Sequence, residues 1–120
     1  CGAIIEFKPI TALAMIDEGE VDWKVIGINT ADPKAVGINC LADLEASFPG
    51  EVDSIREWFT WYKAVDENGN KVDGKDPNVF GFDGKPLATE EALDVINAGN
   101  HCWNALVTRK IPRPPKLKLA

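Results

Sequence analysis

Apolar and polar positions along the chain fall into two regimes, one of period two and one of period three to four. Residues 3 to 9 (Ala-Ile-Ile-Glu-Phe-Lys-Pro) and 11 to 16 (Thr-Ala-Leu-Ala-Met-Ile) read as strands. Residues 22 to 29, Asp-Trp-Lys-Val-Ile-Gly-Ile-Asn, do so more strongly, being rich in β-branched and aromatic side chains. Asp17-Glu18-Gly19-Glu20-Val21 joins the last two runs, and a glycine in a polar segment between apolar runs predicts a hairpin. Beyond a loop at 30 to 39 the period changes. A short helix is expected over Leu41 to Phe48, ended by Pro49-Gly50, and a second from Glu51 to Tyr62. Val52, Ile55, Phe59 and Tyr62 recur at three- and four-residue steps and form one stripe, with Tyr62 at its C-terminal end.

Residues 66 to 78 are polar and full of turn chemistry, and Phe80-Gly81-Phe82 is expected as a short edge strand. The longest helix is expected to start at Thr89 as N-cap, with Glu90 and Glu91 in its first turn and Leu93, Ile96, Trp103 and Val107 on its buried face. Residues 112 to 120 read as a Pro- and Lys-containing tail. Strands followed by helices predict an α+β fold.

Charge narrows the classes of partner. The net charge of −6 argues against nucleic-acid binding by bulk electrostatics, and the acidic balance suits divalent cations better. No apolar run reaches the roughly 18 residues of a membrane span, so no direct membrane insertion is expected. No targeting segment is visible, but the chain starts at Cys1 rather than Met, so the natural start is expected upstream and the compartment stays open. Cys1, Cys40 and Cys102 are widely spaced and odd in number, which predicts unpaired, mostly buried thiols in a reducing environment.

The hairpin carries the densest chemistry. Asp17, Glu18, Glu20 and Asp22 place four carboxylates within six residues, and such crowding is costly unless a cation neutralises it. From residue chemistry alone this segment is either a solvated acidic turn or a site for a hard cation such as Mg²⁺. Two other readings are set aside. Asp66-x-Asn68-x-Asn70 starts like a calcium-binding loop, but Lys71 stands where glycine is needed. His101-Cys102 are adjacent on a predicted helix and point in different directions.

Met15-Ile16-Asp17-Glu18-Gly19-Glu20-Val21-Asp22-Trp23-Lys24-Val25-Ile26 resembles a signature segment of the family I soluble inorganic pyrophosphatases of the eukaryotic type. The likeness continues in order through Phe48-Pro49-Gly50, Glu57-Trp58-Phe59, Tyr62-Lys63, Asp73-Gly74-Lys75, Pro77 to Phe82 and Ala92 to Ile96, ending at Trp103, Leu106 and Val107. The resemblance implies the C-terminal half of such an enzyme. It implies an OB-like β-barrel, of which this chain supplies the last part, followed by two or three packing helices, with residues 1 to 111 as the partial domain. It implies that Asp17 and Asp22 ligate Mg²⁺, that Lys24, Tyr62 and Lys63 contact phosphate, and that Glu18 and Glu20 stand outside the metal's direct ligands. The reaction implied is hydrolysis of pyrophosphate to two phosphates, in a homodimer as in the family or in a larger assembly.

The chain also departs from that family. The triple-aspartate motif that family members carry upstream is absent from these 120 residues, so the chain alone is expected to be inactive. Ala64-Val65 and about seven extra residues precede Asp73, near the mouth of the expected site. Two explanations stand at this point: part of a working hydrolase, or a hydrolase-derived, non-catalytic subunit of a larger complex. Retention of Asp17, Asp22, Lys24, Tyr62 and Lys63 favours the first.

Overall fold

A computed structural model describes residues 2–112 and 114; Cys1 and most of the predicted tail lie outside the described residues. Strand β1 spans Phe7–Asp17 and β2 spans Glu20–Asn29; α1 (Leu41–Ser47) and α2 (Glu51–Trp61) follow. A two-residue strand, β3 (Val79–Phe80), precedes the long helix α3 (Thr89–Val107). The three strands form one antiparallel sheet in the order β2-β1-β3, and the α+β class is as expected.

The two strands expected at 3 to 9 and 11 to 16 are one. β1 starts only at Phe7 and runs through Pro9, where the register against β2 shifts between Pro9 and Thr11. Proline has no N–H to give to the ladder, and the bulge at this point absorbs the mismatch without ending the strand. The edge strand falls on Val79–Phe80 rather than Phe80 to Phe82, because Phe82 and Asp83 take positive φ in a 3₁₀ turn that leaves the sheet.

Side chains alternate across a strand, so cross-strand partners share a face. Asp17/Glu20, Met15/Asp22, Leu13/Lys24 and Thr11/Ile26 lie on one face of the hairpin. Continuing along that face, Ile10 and Ile28 enter a core with Ile38, Leu44 and Val52, closed by Leu41 and Phe48. The helices α1 and α2 therefore cover the face that carries the charged residues, and the apolar stripe of α2 leads from this core toward them. Ile10 to Met15 are buried throughout, as befits a central strand.

Helix α3 packs against β1 through Ala92. Its start corrects the expected cap. Ala88 is the N-cap, its N–H donating to Glu91 Oε2 at 2.8 Å, while Thr89 Oγ1 donates to the Ile10 carbonyl at 2.7 Å. Its expected buried face is also corrected: Leu93, Trp103 and Val107 are about half exposed, Ile96 is partly buried, and Ala92 alone is fully buried. The expectation of buried cysteines fails as well, since Cys40 and Cys102 are both free and exposed, Cys40 at the N-cap of α1. No helix among the described residues is long and apolar enough to cross a membrane.

Candidate active site

The acidic turn is tighter than the sequence suggested. Asp17 pairs with Glu20, leaving Glu18 and Gly19 as a two-residue loop with φ of 51° and 86°. Positive φ at both positions is the twist-matching turn of antiparallel hairpins, and glycine makes the second position cheap. Its effect is to fix which carboxylates share a face: Asp17, Glu20 and Asp22 stand with Lys24, whereas Glu18 sits in the turn.

Helix α2 brings the other half of the site. Its last turn places Tyr62 as C-cap and Lys63 just beyond. Lys63 Nζ donates to Asp17 Oδ1 at 2.5 Å, spanning 46 residues of sequence, and Lys24 Nζ donates to Asp22 Oδ2 at 2.6 Å. Two carboxylates and two ammonium groups thus pair on this face, Lys63–Asp17 joining the helix end to the hairpin and Lys24–Asp22 lying within β2. The Lys63 hydrogen bond holds the Asp17 carboxyl below the ordinary carboxylate range against the opposing effect of burial. The same bond raises the Lys63 ammonium above the usual lysine value.

Phe59, one turn before Lys63, lies with its ring centroid 4.9 Å from Lys24 Nζ. Its ring also meets Tyr62 edge-on at 5.9 Å. Tyr62 stays 40% exposed. The helix end is tied down by Asn78, which is buried and donates from its side chain to the Phe59 carbonyl and from its backbone to the Thr60 carbonyl.

All five sequence-predicted residues, Asp17, Asp22, Lys24, Tyr62 and Lys63, therefore lie on or beside one face. Asp17, Glu18, Glu20 and Asp22 line an open hollow of 500 Å³. A neighbouring hollow of 460 Å³ brings Lys63, Lys75 and Asn78 beside Glu18. Lys75 and Asn78 were not singled out from the sequence; the only signal was their place in the blocks Asp73-Gly74-Lys75 and Pro77 to Phe82. His101 lies on α3 as expected, and it is exposed rather than packed. Asp66 is occupied in its own loop, accepting from the Asn68 and Asn70 amides at 2.9 Å each.

Chemically, the arrangement offers hard oxygen donors for a cation beside ammonium and hydroxyl donors for an anion. Residues 1–104 match a family model described as inorganic pyrophosphatase. The chain is 44% identical to soluble inorganic pyrophosphatase 6, chloroplastic, of Arabidopsis thaliana, the match covering 92% of this chain and 34% of that protein. It is 41% identical to the inorganic pyrophosphatase of Mus musculus, over 91% of this chain and 35% of that protein. Among solved structures, the inorganic pyrophosphatase of Schistosoma japonicum superimposes with a TM-score of 0.83 at 38% identity, over 95% of this chain and 38% of that one. The type I inorganic pyrophosphatase of Toxoplasma gondii does so with a TM-score of 0.77 at 38% identity, over 88% of this chain and 42% of that one. The chain spans about a third of the length of the curated relatives it matches.

Proposed function

The chain belongs to the inorganic pyrophosphatase family, and from that premise we propose that it forms one wall of a site hydrolysing pyrophosphate to two phosphates with Mg²⁺. The observation that carries this reading is the paired face itself, in which Lys63 of the α2 end and Lys24 of β2 neutralise Asp17 and Asp22. Such a face is matched to a substrate that arrives as a metal–polyphosphate complex, with each charge exchanging one partner for another.

The donor set suits Mg²⁺, which takes one or two carboxylates and completes its shell with water and phosphate oxygens. Asp17 and Asp22 would hold it. Among the described residues no group of three His, Cys, Asp or Glu side chains is placed to hold an ion, so these two would be a partial shell. When bound, the metal neutralises substrate charge and lowers the pKa of a coordinated water.

The chain's own residues do the rest. Lys24 and Lys63 leave their carboxylates and bind phosphate oxygens, which stabilises charge on the leaving phosphate. Phe59 beneath Lys24 confines that ammonium to the site. Tyr62 donates its hydroxyl to a phosphate oxygen. Glu18 and Glu20 shape the field without touching substrate.

The same reading places the sheet in an OB-like barrel. β2 is the outer strand among the described residues, and beside it an apolar groove of 360 Å³ runs between Ile26, Ile28, Leu44, Phe48 and Ile55. Strands and the triple-aspartate motif from the remaining two-thirds of such an enzyme would cover this side and complete the site.

The test is Mg²⁺-dependent phosphate release from pyrophosphate by the protein at its natural length, beside Asp22→Asn. Release that falls roughly a hundredfold or more in the variant is expected. No release from folded protein, or release indifferent to Asp22→Asn, overturns the reading.

A further inference from the structure

Beside the paired face, a cleft of 460 Å³ opens at the C-terminal end of α2. Trp58, Trp61 and Tyr62 form its apolar floor, exposed by 59%, 40% and 40% respectively. These rings are held in place. Trp58 and Tyr62 stack with centroids 5.0 Å apart, and Trp61 donates its indole N–H to Glu57 Oε1 at 2.8 Å. Glu57, Asp66 and Glu67 rim the cleft, and among the described residues no lysine or arginine lines it. Its outer wall is an ordered miniature hairpin, in which Val65 bridges Lys71 and the Val72 amide donates to the Ala64 carbonyl at 2.9 Å.

Fixed aromatic faces rimmed by carboxylates suit one ligand chemistry in particular. Proline rings of an extended segment stack on the aromatics, and cations between the prolines meet the acids and the ring faces. The chain contains such a sequence: Pro112-Arg113-Pro114-Pro115-Lys116-Leu117-Lys118 has three prolines, three cations and no carboxylate.

We propose that the acid-rimmed aromatic cleft at the end of α2 docks the chain's own Pro- and Lys-containing segment, residues 112 to 120. The proposal does not depend on the hydrolase reading. If both hold, the docked segment lies against Tyr62 and so beside the phosphate site.

The experiment titrates a synthetic peptide of residues 112 to 120 into the natural-length protein with these residues deleted, and into the intact protein, reading tryptophan fluorescence. A saturable change is expected in the deleted protein, weakened by added salt because the rim contacts are exposed charges. Trp61→Ala should weaken binding about tenfold, as loss of one aromatic anchor does. A peptide with Lys116→Glu and Lys118→Glu should not bind. The intact protein should bind the peptide more weakly, since its own segment competes. Should Trp61→Ala misfold, Glu67→Lys at an exposed rim position makes the same test. No saturable binding, equal binding by intact and deleted proteins, or indifference to both variants overturns the proposal. The first of these, with the tryptophans shielded from acrylamide in both proteins, would mean that another part of the molecule covers the cleft.

Discussion

Asp43 shows how much one carboxylate can organise. Its Oδ2 accepts from the Asn39 amide at 2.9 Å and from the Cys40 amide at 3.2 Å, closing the start of α1. The Asn39 bond, with help from Cys40, holds this carboxyl below the ordinary aspartate value. A group whose folded pKa is depressed contributes stability above its unfolded pKa and loses it as pH falls through the folded value. Thermal melts should therefore separate wild type from Asp43→Asn near neutral pH, and the gap should narrow as pH falls below the ordinary aspartate value toward the lowered folded one. A gap independent of pH would show that the bonds act without the charge. At this scale the sequence disclosed residue types and little about their partners. Glu91 capping Ala88 was not foreseen, because Thr89 looks like a cap until the Ile10 carbonyl comes within its reach. The Lys63–Asp17 contact was invisible for the same reason: only the fold brings residues so distant in sequence together.

Elements were more legible than residues, because periodicity records them directly. β2, α1 and α2 fall within a residue or two of where pattern and turn chemistry put them, whereas β1 begins four residues before the expected run at 11 to 16. Periodicity reports which side of a helix is apolar and not whether anything covers it. Leu93, Trp103 and Val107 do recur with helical spacing, yet the described residues cover them only in part, leaving 42%, 50% and 37% exposed. The bulge in β1 was likewise silent in the pattern, although Gly27 marks it. A Cβ on Gly27 would stand 2.2 Å from the Lys8 carbonyl oxygen and 2.6 Å from the Phe7 ring. The ring can turn away, but the backbone oxygen belongs to the paired strand. Gly27→Ala should therefore cost about 1–3 kcal/mol, read as a lower denaturant midpoint, whereas an alanine at exposed Gly99, which meets nothing, should cost little or add stability. Equal midpoints for the two variants would mean that the strand yields at the bulge.

For the whole molecule, the resemblance carried family and class, and the α+β architecture followed from strands preceding helices. The proportion did not follow: the chain spans about a third of its relatives rather than half. One strand also organises everything described. β1 is flanked by β2 along its length and by β3 at Met15 and Ile16, and its Ala14 and Ala12 carbonyls accept the Gly81 and Leu87 amides. Its neighbours can fray singly, but β1 is released only when they all let go. Amide hydrogens of Ile10 to Met15 should then exchange with solvent only through global unfolding, far more slowly than those of β2 or the last turns of α3. Hydrogen-exchange mass spectrometry would register this as one slow class confined to that segment; uniform rates across the sheet would contradict it. Burial at the centre of the sheet is in this sense a property of time as much as of space, and the exchange rate of six consecutive amides measures how long the molecule stays whole.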